Sequence, residues 1–115
     1  MKLMIFVLND TSKLEAVLSK LEHDGIRGAT ILQSRGMAMA LENYMKGSFL
    51  GSLRAVMEPD REENKTIFAV IKDDQTQIAV NAIERIVGSL DEPNTGILFT
   101  VPIDYVKGLP TGGNS

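Results

Sequence analysis

Side chains that could do chemistry are sparse in this chain and are rarely spaced as a reacting set. There is no cysteine, which removes thiolate nucleophiles, disulfides and cysteine metal sites together and makes a cytoplasmic protein the simplest expectation. The single histidine, His23, precedes "DG" with no nucleophile or metal partner beside it. Its cationic form suits a helix C-terminus, where the dipole favours positive charge. "EPDREEN" (58–64) pairs carboxylates but lacks the spaced acidic ligands and the glycine of a calcium loop, so it reads as a solvated turn. The serines belong to no Gly-x-Ser-x-Gly elbow, and no apparatus for covalent catalysis is visible. The expectation is a protein that is not an enzyme.

Two places remain open to binding. "SLDEPNTG" (89–96) reads either as a helix-to-strand turn, because Asp, Pro, Asn and Gly are turn residues in their own right, or as a ligand-binding loop with Asn94 and Thr95 supplying polar contacts. Lys107 reads either as a phosphate contact or as solvated surface near the chain end.

The frame that must position these residues is small. A chain of 115 residues and 12.6 kDa fits one domain, 1–115, and leaves no room for a second core. With 43% hydrophobic and 23% charged residues, it belongs to the ordinary soluble globular class. Twelve basic residues against fifteen acidic give a formal net charge of -3, with no basic stripe to track phosphates, so no nucleic acid is expected as partner. The N-terminal "MKLMIFVLND" has no small-residue cleavage site after it. Its apolar run is far below spanning length, so it reads as a strand and direct membrane insertion is not expected.

A β-α-β unit then occurs twice. "LMIFVL" (3–8) is an apolar run of strand length, followed by a helical pattern in which Leu14, Val17, Leu18 and Leu21 draw one stripe. Ser12 with Glu15 three positions on has the form of a capping box, and Gly25 suits the left-handed helix end. "GATILQS" (28–34) closes the first unit. In the second unit "KTIFAVI" (65–71) is a strand. The next helix places Ile78, Ala82, Ile86 and Val87 on one face, with Asp74 as cap and Gly88 as terminator, and "TGILFTV" (95–101) is the last strand. Two such halves predict an α+β, ferredoxin-like βαββαβ domain with both helices on one face of a four-stranded sheet. Half-exposed strands normally alternate apolar and polar, yet "LMIFVL", "TIFAVI" and "GILFTV" are apolar on both faces. Another copy of the chain is the expected cover for the bare face, because large exposed apolar patches mark interaction sites.

The doubled unit with a long connection between strands two and three resembles the nitrogen-regulatory P-II signalling family. "GIRGATILQSRGMA" is similar to that family's second strand and loop start, a Gly-x-Thr-Val run ending in Lys-Gly or Arg-Gly, here Arg35 and Gly36. "KTIFAVIKDD" is similar to its third strand, and "TGILFTVPIDYVKG" to its Gly-x-Ile-Phe-Val fourth strand. The resemblance covers nearly the whole chain and rests on the order and spacing of its elements. It implies a homotrimer whose bare sheet faces meet, an adenine nucleotide as the candidate small ligand between subunits, and a signalling loop that grips a membrane transporter or a metabolic enzyme. Thr30 matches the strand-two threonine near the nucleotide, Gly36 the loop-start glycine, and Gly88 and Gly96 the ends of the glycine-rich phosphate segment.

Departures from the family are equally specific. The phosphate segment Thr-Gly-x-x-Gly-Asp-Gly-Lys falls on "VGSLDEPNTGI", without the internal glycine and with Ile97 in place of the lysine. The C-terminal arginine pair falls on Gly108 and Pro110, leaving Lys107 as the nearby cation. The loop-base glutamine that chelates magnesium and 2-oxoglutarate falls on Ala40, so sensing of 2-oxoglutarate in the family's manner is not expected.

The stretch from 35 to 64 is too long for a turn, since connections usually take about four to six residues, and too apolar for easy disorder. It holds Met45, Phe49, Leu50 and Leu53, and from 48 to 57 the apolar residues follow helical spacing despite Gly51, a glycine costing roughly 1 kcal/mol in a helix interior. Two readings stand: an amphipathic partner-binding helix among pliable methionines, or a helix that packs on its own oligomer. Tyr44 lies where a P-II-like loop can carry a modifiable tyrosine, and reads otherwise as an ordinary buried or exposed one.

Overall fold

A computed structural model describes residues 1–37, 40–41 and 63–109. Four strands form the frame: β1 (Lys2–Leu8), β2 (Thr30–Ser34), β3 (Asn64–Ile71) and β4 (Gly96–Pro102). Two helices, α1 (Leu14–His23) and α2 (Thr76–Val87), follow β1 and β3. The sheet order is β2-β3-β1-β4, and every neighbouring pair is antiparallel. Each β-α-β unit therefore straddles a strand of the other, an α+β architecture consistent with the ferredoxin-like arrangement.

The core lies between one sheet face and the helices. Met4, Phe6 and Leu8 of β1 and Ile67, Ala69 and Ile71 of β3 are fully or almost fully buried against Val17 and Leu21 of α1 and Ala79, Ala82 and Ile83 of α2. Leu14 and Leu18 pack at its margin, so the stripe read for α1 holds. For α2, Ala82 is buried and Ile86 and Val87 pack against the core as expected, whereas Ile78 is 41% exposed and Ala79 and Ile83 complete the buried face.

Both helices begin through a 3-10 turn, and this changes the caps. Asp10, not Ser12, caps the first turn (Thr11–Lys13): Asp10 Oδ1 accepts from the Ser12 N–H at 3.2 Å and from the Ser12 hydroxyl at 2.5 Å. Ser12 lies inside that turn, and Lys13 stands at the N-cap of α1 with no side-chain cap. In the second half, Asp74 lies inside the turn Asp73–Gln75, and the Gln75 side chain reaches back to accept from the Lys72 N–H at 2.8 Å. The helix ends match expectation. Gly25 has φ 96° and Gly88 φ 91°, positive values that glycine adopts without a Cβ penalty.

The second sheet face carries no layer among the described residues. Its rows run Leu3–Val70–Val101, Ile5–Phe68–Phe99 and Val7–Thr66–Ile97 across β1, β3 and β4, with Thr30 and Leu32 of β2 alongside. Ile97 is 59% exposed and Phe99 44%. No helix among the described residues is long and apolar enough to cross a membrane.

Candidate functional site

The register decides which of the candidate residues meet. Gly96 pairs with Leu8, Leu8 with Lys65, and Lys65 with Gln33, so these four share one row near one end of the sheet. Arg35 and Gly36 follow Ser34 off that same end. The 88–96 loop and Arg35–Gly36 are thus on a common end but on opposite edges, three strand steps or roughly 14 Å apart at about 4.8 Å per step. Thr30 lies four residues before Ser34, facing the open side in the Phe68 row. Lys107 follows β4 off the other end, where Pro102 pairs with Lys2 and the Ile103 N–H donates to the Met1 carbonyl at 3.1 Å. Within one chain, Thr30, the glycine loop and Lys107 do not converge.

The 88–96 loop is largely closed on itself. The Gly88 N–H donates to the Glu84 carbonyl at 2.9 Å, and the Leu90 N–H donates to the Glu84 carboxylate at 2.8 Å. The Asp91 N–H reaches the Ser89 hydroxyl at 3.2 Å, and the Glu92 N–H the Ser89 carbonyl at 3.1 Å. Asn94 sits at φ 65°, a left-handed conformation that asparagine tolerates better than most residues. At Gly96, φ is 144° and a Cβ would lie 2.5 Å from the Val7 carbonyl oxygen and 2.8 Å from the Phe6 ring. The start of β4 can close on β1 only without a side chain. Gly88 has nothing within 4 Å of such a Cβ, so conformation alone calls for glycine there. Both glycines have local physical causes, whatever the loop binds.

A polar group not anticipated in the sequence holds the other edge. The Ser34 hydroxyl donates to Asn64 Oδ1 and, having one proton, accepts from the Thr66 hydroxyl at 2.7 Å. A Cβ on Gly36 would stand 3.6 Å from Asn64 Nδ2, an ordinary contact, so Gly36 is not excluded from carrying a side chain by space. The group ties together the two strand ends between which 35–63 runs. Ser34 lies about thirty residues from Asn64 and Thr66, so only the β2–β3 register reveals the group.

Past Gly36, the Ala40 N–H donates to the Gly36 carbonyl at 2.9 Å, and Met37, Ala40 and Leu41 are helical. Tyr44, Met45, Phe49, Leu50 and Leu53, and the helical spacing from 48 to 57, lie outside the described residues. So does Pro110. His23 is exposed at the end of α1, with Nδ1 3.1 Å from Asp24 Oδ1, and Lys20 Nζ stands 3.2 Å from the same oxygen. Hydrogen bonds from His23 and then Lys20 hold the Asp24 carboxyl below its ordinary value. This is a helix-end charge cluster with no nucleophile attached. No group of acidic and histidine residues among those described could hold a metal ion. A shallow depression of about 330 Å³ on α1, lined by Leu14, Glu15, Leu18, Ser19 and Glu22, contains none of the candidate residues.

No protein-family model matches the chain, and no curated protein matches it.

Proposed function

We propose that this chain is a P-II-like regulatory protein: a homotrimer that takes up a small ligand of the adenine nucleotide class between subunits and controls a partner, a membrane transporter or a metabolic enzyme, through the 35–64 stretch. One observation carries the reading. The split β-α-β sheet has an apolar second face, centred on Ile5, Phe68 and Phe99, that no element among the described residues covers. A face of that kind calls for a partner copy. Assembly through it would also bring residues from different chains together, which suits candidate residues that lie on separate edges and ends of a single sheet.

A second reading is a scaffold module that binds no ligand, with the 35–64 stretch buried in its own oligomer. It is favoured by the 88–96 loop, whose amides at 88, 90, 91 and 92 donate within the chain and whose glycines have structural causes. Calorimetric titration with ATP, ADP, AMP and cyclic AMP separates the two readings. Heat from any of them supports the first, and silence from all at high protein concentration removes its nucleotide part. Light scattering on F49S/L53S gives an independent answer: a signalling loop leaves the trimer intact, whereas a scaffold loses oligomeric stability.

A further inference from the structure

The two outer strands of the sheet lack the usual protection of an edge. An edge strand presents a row of unpaired N–H and C=O groups, and monomeric proteins blunt it with charged side chains, proline or a bulge. Neither β2 ("TILQS") nor β4 ("GILFTVP") holds a charged residue, and the strand lysines, Lys2 and Lys65, sit on the inner strands β1 and β3. Pro102 is only the last residue of β4. The register runs unbroken along both outer pairs, so no bulge turns either edge away. Ile31 and Leu32 on one edge, and Ile97, Phe99 and Val101 on the other, are exposed.

Two further features say what meets these edges. In the order β2-β3-β1-β4, with every neighbour antiparallel, β2 and β4 run in opposite directions. Rotating a copy about an axis along the strands therefore sets its β2 antiparallel beside the first copy's β4, so ladder bonds can continue across the boundary. Area decides against the open face acting alone. Four strands about 4.8 Å apart and seven residues long at about 3.3 Å each span roughly 19 by 23 Å. That is about 440 Å² in projection, short of the ~800 Å² per partner of a standard interface. A β4-to-β4 pair about a twofold axis would leave both β2 edges and the open face uncovered. Repeated β4-to-β2 pairing, curved towards the open face, closes into a ring that covers both edges and that face together.

We propose that copies of this chain assemble head to tail, β4 of one pairing with β2 of the next as antiparallel neighbours, into a closed ring with the open sheet face inside. The inference shares with the proposed function only the need for a second copy, and it holds with or without a ligand.

The test has two arms. Amide hydrogen exchange on the full wild-type chain, at a concentration where it is assembled, reads the edges. Alternate amides of β2 and β4, those pointing away from β3 and β1, are expected to exchange on the order of 100-fold more slowly than unpaired amides. The absence of cysteine makes introduced thiols unique, so I31C, T100C and I31C/T100C treated with a short bismaleimide read which edges meet. Ile31 lies opposite Ile67 and Thr100 opposite Met4, both on the helix side, away from the open face. On a denaturing gel the double variant should give linked species up to the size of the ring, and each single variant only monomer. Freely exchanging edge amides in an intact oligomer, linked dimers from either single variant, or none from the double variant overturn the edge pairing and leave assembly through the open face standing. A wild type that is monomeric throughout overturns both. The exchange arm uses the unaltered chain and decides the matter if a variant folds poorly.

Discussion

On the proposed reading of a trimer joined through the open sheet face, replacing Phe99 with aspartate should dissolve that trimer without unfolding the chain. Phe99 lies in the middle row of the open face, beside Ile5, and is 44% exposed in the single chain. Taking about 200 Å² for a whole phenylalanine, the exposed part is roughly 90 Å², and covering it contributes about 2 kcal/mol per copy at about 25 cal/mol per Å². Three copies in a trimer lose about 6 kcal/mol, a shift of the dissociation constant by about four powers of ten, before the several kcal/mol that burying each carboxylate costs. Inside the monomer the part of the ring already covered, roughly 110 Å², contributes about 3 kcal/mol, against a total stability of about 5–15 kcal/mol. Sedimentation equilibrium across micromolar concentrations, with circular dichroism as the check on folding, reads both effects. Ile78→Asp is the control, because Ile78 is 41% exposed but lies on α2, away from that face. The reasoning fails if F99D assembles like wild type, if I78D dissociates the oligomer equally, or if wild type is already a monomer.

Three further outcomes follow from single sites. Gly96→Ala should cost about 2–5 kcal/mol, combining a strained left-handed backbone with overpacking against immovable main chain, and urea titration giving less than about 1 kcal/mol would show that β4 can start without this approach to Val7. Thr76→Val should be neutral or stabilising by up to about 1 kcal/mol, because the Thr76 hydroxyl is buried without a hydrogen-bond partner among the described residues, and a lowered melting temperature would mean that the hydroxyl is satisfied after all. The lowered Asp24 carboxyl, held by His23 and Lys20, stabilises the folded state above the unfolded aspartate value. That contribution is lost as pH falls through the folded value below 3.8. Stability curves of wild type and D24N should therefore separate near neutral pH and converge in strong acid, and a constant gap between them would refute the assignment.

Strand positions were legible because a run such as "LMIFVL" has few alternatives at that length, and all four strands fall within two residues of the expected bounds. The bare apolar face was legible for the same reason, since apolar residues at both parities of a strand must meet two surfaces. Phase and capping were harder to read. Of the residues spaced to form the α2 stripe, Ala82, Ile86 and Val87 face the core and Ile78 does not, its place at that end being taken by Ala79. Ser12 and Glu15 satisfy the form of a capping box, yet an intervening 3-10 turn passes the cap to Asp10. The Ser34–Asn64–Thr66 group and the Glu84–Leu90 bond depend on register and on the path of a turn, which local pattern does not specify.

The glycines most suggestive of a phosphate site in the sequence are those whose conservative explanation is strongest in the structure. Gly96 is required by the Val7 carbonyl and the Phe6 ring, and Gly88 by its backbone angle, so neither adds weight to ligand binding. The weight moves to groups that fold stability alone does not demand. Glu84 is not such a group, because its carboxylate gives the Leu90 amide a stronger bond than a neutral acceptor would. Phe99 and Ile97 are, since the single chain gains little by exposing them. A ligand or a partner copy must be sought where the chain carries an avoidable cost, and both costs are accessible to substitution without disturbing the core between the helices and the sheet.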